Sequence, residues 1–167
     1  MSIVMFIGLV FIDSFSMVKT ASHVLFDYAN TDAKNANEQE AMKAIDTMSD
    51  DVFYSNIDNA NGEEGVSLEC CCHDPVGEEI NVLEVAFHKG KLRKTTFSVD
   101  YIDSADKKHH IGTYTSSGEN SNYEKFLFPD KIKDIKAICL KLKKNNDGSP
   151  WFAVKGVRLA RFIEKTL

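Results

Sequence analysis

The sequence lacks four features that mark many functional classes: excess positive charge, a long apolar run, many cysteines and a catalytic motif. Its 167 residues carry a net charge of −5 at pH 7. Nucleic-acid binding needs a basic footprint, so we exclude a nucleic-acid partner and expect any cationic function to be local. The 43% hydrophobic content is enough for a buried core, and the length fits one domain.

The apolar stretch near the N-terminus runs from Ile3 to Ile12 and ends at Asp13. It is too short to span a bilayer, so we expect no transmembrane span, but it fits the hydrophobic region of a secretory signal. Ser14-Phe-Ser16 offers the small residues that signal peptidase prefers, and Val18 to Ala21 offers a second site. No cationic side chain precedes the run, which leaves an N-terminal strand or core segment as the alternative. We expect residues 1–21 to be a signal peptide and the protein to be secreted.

The four cysteines are Cys70, Cys71, Cys72 and Cys139, too few for a disulfide-stapled scaffold. Strand alternation places Cys70 and Cys72 on one face, where Cys139 could meet one of them, and the redox state stays open. Cys70-Cys-Cys-His73 does not predict a zinc site, because three consecutive strand residues cannot all face one ion. Buried strand cysteines are the better interpretation.

No nucleophile elbow, P-loop or zinc-protease motif is present in the sequence. No pair of carboxylates has a spacing that indicates acid–base catalysis. His109 and His110 are adjacent, so on a strand their rings point to opposite faces and make a poor metal pair. We therefore predict that the protein is not an enzyme.

Two segments with period-two alternation dominate what is present. Leu83, Val85 and Phe87 alternate with polar or small residues within Ile80 to His88, and the same pattern recurs from Thr95 to Tyr101. Such alternation is typical of strands with one face on a core. Between them lies a connector with a glycine and four cations, Lys89 to Lys94. The predicted product is a β scaffold that displays a short basic loop.

Further alternating segments and turn signals recur along the chain, which predicts an all-β jelly-roll sandwich of about eight antiparallel strands. We expect a polar arm or linker over residues 22–40, a short helix within Glu38 to Met48, the sandwich over 41–162 and a tail over 163–167. One expected strand ends at Pro129. The predicted core residues are Leu83, Val85, Phe87, Phe97, Val99, Ile138, Leu140, Val157 and Leu159.

The ordered set of motifs resembles a known family. Val85-Ala-Phe-His-Lys-Gly-Lys-Leu-Arg93 with Phe97-Ser-Val-Asp100 is similar to discoidin domains, the coagulation factor V/VIII type C class. It more closely resembles the carbohydrate-binding modules attached to alginate lyases and related enzymes. The resemblance runs from about Ala41 to Leu159. The remaining matching pieces are Ala44-Ile-Asp46, Asp50-Asp51, Thr115-Ser-Ser-Gly118, Glu124-Lys-Phe126, Trp151 and Val157-Arg-Leu159.

This resemblance implies a galactose-binding-like jelly roll whose loops grip a ligand at one end. It also implies a structural calcium ion, for which Asp46, Asp50 and Asp51 are the candidate ligands. Gly156 departs from the pattern, because the family usually carries a calcium-binding glutamate there, and Thr47 replaces a usual glycine. We therefore expect calcium to change the melting temperature little.

The basic loop and the last turn supply the candidate ligand contacts. Arg93 can offer a planar fork to a uronate carboxylate, and neighbouring lysines add mobile positive charge. Trp151 can stack on a sugar face. The alternatives are a solvated loop and a tryptophan that plugs the end of the sandwich. The predicted carbohydrate-binding residues are His88, Lys89, Lys91, Arg93, Asn145, Asn146 and Trp151.

Two functions follow from these residues and the resemblance. The first is a secreted, non-catalytic module that binds a polysaccharide or cell-surface glycan, acidic or galactose-like, and can bring a partner enzyme to it. The second is an extracellular adhesion or protein-interaction domain on the same scaffold. Membrane-binding domains of the type present apolar side chains at loop tips, whereas the loops here are mostly polar, which favours a glycan.

Overall fold

The computed structural model describes residues 17–34, 36–56, 65–119 and 121–166. These residues form ten strands and one short helix. In chain order the elements are β1 (Met17–Val24), β2 (Tyr28–Thr31), α1 (Glu38–Met42), β3 (Phe53–Asn56), β4 (Val66–Val76), β5 (Ile80–Phe87), β6 (Thr95–Asp103), β7 (Lys108–Thr115), β8 (Tyr123–Ile132), β9 (Ile135–Asn145) and β10 (Trp151–Thr166).

The strands form two five-stranded antiparallel sheets. The first sheet has the order β1-β10-β5-β8, with β3 also paired to β10, and the second has the order β2-β4-β9-β6-β7. β5 and β6 lie in different sheets, so the basic loop between them crosses from one sheet to the other instead of closing a hairpin. The predicted all-β sandwich is confirmed.

The core lies between the two sheets, and all nine predicted core residues are buried in it. Phe97 is at its centre, because its ring contacts those of Phe87 (centroids 5.5 Å apart) and Phe126 (5.0 Å). The alternation in β6 places Phe97 and Val99 inward, as the sequence pattern predicts.

The N-terminal segment corrects the prediction of a loose polar arm over residues 22–40. β1 pairs with the end of β10, and β2 pairs with β4. Phe26, Ala29 and Ala33 are buried, so this segment belongs to the sandwich. Small apolar residues widely spaced among polar ones give little strand signal, which is why the pattern indicated a linker.

The predicted C-terminal tail over residues 163–167 is also corrected, because β10 continues to Thr166. Met17–Ala21 pair in register with Phe162–Thr166. Residues 1–16 of the expected signal peptide lie outside the described residues.

Pro129 does not end its strand, since β8 continues to Ile132. β8 is at the edge of the first sheet. A proline is tolerated there because an edge strand needs no N–H on its open side. The predicted helix is present but shorter: Asn37 caps it by accepting from the Glu40 N–H.

The outward face of β5 carries a buried carboxylate. Glu84 is 2% exposed, and Arg158 Nε lies 2.6 Å and His23 Nε2 3.2 Å from its Oε2. Arg158 stacks on the Tyr123 ring with 3.9 Å between Cζ and the centroid. Arg158 and Tyr123, on the strands β10 and β8 at either side of β5, and His23 on β1 shield a charge that the alternation pattern places toward solvent.

The cysteines are all free and buried. Cys70 and Cys72 belong to the core cluster. Cys139 lies opposite Glu69 in the strand pairing and bonds it on the outward side, so it faces away from these two cysteines. Cys71 and Cys139 donate to the two carboxylate oxygens of Glu69, at 3.5 and 3.4 Å. Burial, with the Glu69 charge, raises the pKa of each of these two thiols to about 12.

Within the described ranges, no helix is long and apolar enough to cross a membrane.

Candidate functional site

Two exposed aromatic residues lie on the same face where β3 pairs with the start of β10. Trp151 is 48% and Tyr54 45% exposed. Tyr54 is opposite Ala153, and Trp151 is opposite Asn56. Tyr54 and Trp151 are therefore diagonal neighbours on one face, with Cα atoms roughly 7–8 Å apart. Their inward neighbours on the same strands are buried, which fixes the direction in which both rings project.

His88 extends this aromatic surface. Its backbone N–H donates to the Ala153 carbonyl at 3.0 Å, which attaches the start of the basic loop to β10. Its ring meets that of Tyr54 edge to face, with centroids 5.7 Å apart. We call Tyr54, His88 and Trp151 the aromatic platform.

The basic loop leaves the platform through a tight turn. Lys89 has a φ of +58°, and its carbonyl accepts from the Leu92 N–H at 2.8 Å. Lys89 and Lys91 are exposed, as a ligand contact requires. Leu92 is 78% exposed at the same turn.

Arg93 is held within the protein. Its Nε donates to Asp147 Oδ2 at 2.9 Å, and its Nη1 donates to the Trp151 carbonyl at 3.0 Å. The side chain is 22% exposed. The sequence suggested a free fork for a carboxylate, because a single sequence does not show which acidic residue lies opposite a given arginine.

Asn145, predicted to contact sugar, is 5% exposed and internally bonded. Its Oδ1 accepts from Thr95 Oγ1 at 2.7 Å, and its Nδ2 donates to the Ser149 and Trp151 carbonyls, both at 2.9 Å. The Asn145 side chain therefore fixes the turn that leads to Trp151. Its amide is engaged within the protein and almost fully buried.

Asn146 is exposed but also ties loops together. Its Oδ1 accepts from the Lys94 N–H at 2.8 Å, and its own N–H donates to the Lys94 carbonyl at 3.0 Å. The Thr95 N–H donates to Ser116 Oγ at 2.9 Å. The basic loop, the turn before β10 and the loop after β7 are thus joined at residues 94 and 95, at one end of the sandwich.

A cavity of about 510 Å³ lies against Tyr54 and His88 of the platform, and its lining also includes Lys155, Lys43, Asp50 and Asp51 but not Trp151. Lys155 Nζ lies 2.7 Å from Asp50 Oδ1. This hydrogen bond lowers the pKa of Asp50. The cavity combines donors and acceptors with two ring edges, which is the lining that a hydroxyl-rich ligand needs. A second cavity, of about 400 Å³ on the outward face of β4, β9 and β6, has no aromatic side chain in its lining.

The three predicted calcium ligands do not form one group in the described part of the chain, although Asp46 and Asp50 line a common cavity. Asp46 Oδ1 accepts from the Met48 N–H at 2.9 Å, and Asp50 bonds Lys155. Within the described ranges, no group of three His, Cys, Asp or Glu side chains could hold a metal ion. The side chains present therefore do not fit a calcium site of the type that the resemblance implied.

Gly156 itself has a local structural reason. A Cβ at this position would collide with the Tyr123 hydroxyl. The phenol thus occupies the space beside β10 into which a longer side chain would project. The glycine that replaces the expected glutamate therefore makes room for the Tyr123 ring, which packs beneath Arg158.

Of the seven predicted contacts, the structure brings His88, Arg93, Asn145 and Trp151 to one rim, with Lys89, Lys91 and Asn146 on the loops around it. Tyr54 was missed. Its only signal was the pair Phe53-Tyr54 beside a polar loop, which is too short to show a period.

Comparisons with known proteins agree with this architecture. No protein-family model and no curated protein matches the chain. Among solved structures, the family 32 carbohydrate-binding module of AlyQ, in complex with 4,5-unsaturated mannuronic acid, superposes with a TM-score of 0.63 at 17% identity, covering 82% of this chain and 98% of the module. A truncated AlyQ with this module and alginate lyase domains gives 0.69 at 17% identity, covering 89% of this chain and 35% of that one.

A third similar structure is the family 32 module of C. perfringens NanJ in complex with galactose. Its TM-score is 0.58 at 13% identity, covering 86% of this chain and 93% of the module. At such identities the likeness shows the fold. The β-sandwich fold expected from the resemblance is therefore confirmed.

Proposed function

We propose that this protein is a non-catalytic, extracellular carbohydrate-binding module that recognises a polysaccharide or cell-surface glycan through the aromatic platform. The observation that carries the proposal is the exposed pair Trp151 and Tyr54 beside His88, at the end of the sandwich where three loops meet. Aromatic faces stack on the apolar faces of sugar rings, and the flanking donors and acceptors suit the hydroxyl groups. The similarity to the AlyQ and NanJ modules supports the choice of ligand class.

The protein would act by holding whatever it is joined to close to the glycan. An open site buries little area, so we expect weak affinity for a single site, which several linked sites would raise by avidity. A covalently or non-covalently joined enzyme would be brought to its polysaccharide in this way. Uronate-containing and galactose-containing glycans are the two ligand classes that the sequence suggested.

A glycan array on the purified protein, with and without a chelator, tests the proposal. The hits are then titrated by calorimetry against Trp151→Ala and Tyr54→Ala. Loss of binding in both variants is expected, while Leu127→Ala, an exposed apolar residue on edge strand β8, serves as the control and keeps full affinity. An array with no hits, or unchanged affinity in both platform variants, would reject the proposal.

Export is tested separately. N-terminal sequencing of protein from the medium should show cleavage after Ser16 or Ala21. The first site keeps all of β1, and the second removes the residues that pair with the end of β10. An intact N-terminus in the cytosol would contradict export.

One observation favours the second function, adhesion to a protein or membrane surface. Leu92 is a large apolar side chain, 78% exposed, on a loop whose Lys89 and Lys91 are also exposed. Leu92→Ser separates the two functions: glycan affinity should be unchanged, whereas attachment to a surface through this loop should be lost.

A further inference from the structure

Two residues that the sequence marked as ligand contacts converge on a single protein atom. Arg93 Nη1 and Asn145 Nδ2 donate to the carbonyl oxygen of Trp151, at 3.0 and 2.9 Å. The Trp151 N–H donates to Ser149 Oγ at 3.3 Å. Both backbone polar groups of the only tryptophan are therefore bound by side chains.

Asp147 completes this arrangement. Its Oδ2 accepts from Arg93 Nε at 2.9 Å, and its Oδ1 accepts from the Ser149 N–H at 3.0 Å. One carboxylate thus joins the basic loop to the turn that precedes β10. The Ser149 N–H and then Arg93 lower the pKa of Asp147, so the carboxylate is ionised at neutral pH.

The engagement of Arg93 bears on what it offers a ligand. A guanidinium binds a carboxylate best through two parallel N–H bonds. Here Nε is committed to Asp147 and Nη1 to Trp151, and the charge has an acidic partner at 2.9 Å. A uronate would have to compete with Asp147 for the same cation.

We propose that Arg93 and Asp147 are positioning residues of the glycan site: the pair fixes the backbone of Trp151, so that its side chain stays on the face that it shares with Tyr54, and Arg93 does not bind the ligand itself. This inference rests on the proposed function. It assigns Asp147, an acidic residue that need not touch the sugar, an indirect influence on affinity through Trp151.

The physical reason is the cost of ordering the ring. Trp151 follows a turn of six residues, Asn145 to Pro150, and a large side chain on a free turn loses conformational freedom when a ligand immobilises it. Holding the turn in place before binding removes that cost. The same bonds leave the ring 48% exposed, so it is fixed without being covered.

The test uses the full chain, with two readouts on one set of variants. The first is acrylamide quenching of Trp151 fluorescence without ligand, and the second is affinity for the best array glycan. In Arg93→Ala and Asp147→Ala we expect stronger quenching and an affinity about tenfold lower, equivalent to one lost charge-assisted hydrogen bond. The double variant should lose no more than either single one, because both changes break the same unit.

Two variants make the comparison sharp. Asp147→Asn keeps an acceptor for only one of the two donors, Arg93 Nε or the Ser149 N–H, and removes the charge, so its quenching should lie between that of the parent and that of Asp147→Ala. Lys91→Ala removes a cation from the same loop and should leave quenching unchanged. Circular dichroism of each variant checks that the sandwich is folded, and where Arg93→Ala does not fold, Arg93→Gln replaces it.

Direct ligand contact by Arg93 gives the opposite pattern. Asp147→Ala would then free the guanidinium, and binding of an acidic glycan would stay the same or tighten while Arg93→Ala lost it. That pattern, or quenching unchanged in both alanine variants, overturns the inference. A parent that binds no glycan fails the proposed function instead, and the quenching comparison, which needs no ligand, still reports whether the pair fixes Trp151.

Discussion

Arg158 and Glu84 form an ion pair, Nε to Oε2 2.6 Å, on the face of β5 that points away from the core. Glu84 is almost fully buried there. Arg158→Ala should therefore destabilise the protein by about 3–5 kcal/mol, because it leaves a buried carboxylate without its main partner. Urea denaturation measures the change. Lys131→Ala, which breaks an exposed pair with Glu79, is the control and should cost under about 0.5 kcal/mol. An Arg158→Ala cost below that of the control would contradict the shielding of Glu84.

Phe97→Ala tests the core. The ring is fully buried and touches three other aromatic rings. Removal of such a side chain should cost about 3–5 kcal/mol, from lost burial and the cavity left behind. Thermal and urea unfolding report it. Leu127→Ala is the exposed counterpart, and equal effects of the two substitutions would mean that the inward face of β6 is wrongly assigned.

Gly156→Ala should destabilise the protein by about 1–3 kcal/mol, because its new methyl group meets the Tyr123 hydroxyl and pushes that ring from beneath Arg158. Gly77→Ala is a matched control, since a Cβ there meets nothing within 4 Å. The cost at position 156 should shrink in a Tyr123→Ala background. If it does not, the collision is not its cause.

Calcium should change the melting temperature little, because Asp46, Asp50 and Asp51 do not form a metal-ligating group. Differential scanning fluorimetry with calcium and then with a chelator is the measurement. A ligand that binds the folded state at 100 times its Kd stabilises by about 2.7 kcal/mol. A chelator-reversible rise of several degrees would show that these loops do bind the ion.

The thiols of Cys71 and Cys139 should resist alkylation in the folded protein at pH 8, since their pKa values are raised to about 12 and both side chains are buried. Each folded-state pKa lies above the usual value near 8.5. Their contribution to the free energy of unfolding is therefore complete below about pH 8.5 and is lost as the pH rises toward 12.

Mass spectrometry after iodoacetamide treatment, with and without urea, checks the predicted resistance of these two thiols to alkylation. Rapid labelling without urea would contradict it.

Sequence patterns predicted the centre of this fold better than its margins. β5 and β6 carry long alternating runs, so their inward residues could be named. β3 has four residues, and β1 and β2 are short or polar. Their pairing depends on the partners β10 and β4, which a local pattern does not contain. Glu84 shows the same limit: alternation gives its direction, while its burial comes from side chains on other strands.

The candidate site also has residues that the sequence could predict and residues that it could not. Trp151 and His88 could be proposed because aromatic and imidazole groups beside turns suggest ligand contact. Arg93 and Asn145 could be found, but their roles could not, because the acceptors that they bind lie 54 and 6 residues away. Tyr54 lacked a signal until pairing of β3 with β10 placed it beside the tryptophan.

The pairing of β1 with β10 also determines how this domain can be attached to something else. Met17 is opposite Thr166, so these two positions lie together at one pole of the sandwich. Trp151 begins the same strand that Thr166 ends, and at about 3.3 Å per residue the distance between them is up to about 50 Å. A linker joined near either position would leave the domain on the same side and point the platform away from it. The long strand β10 would therefore separate a linker attached at that pole from the proposed binding surface.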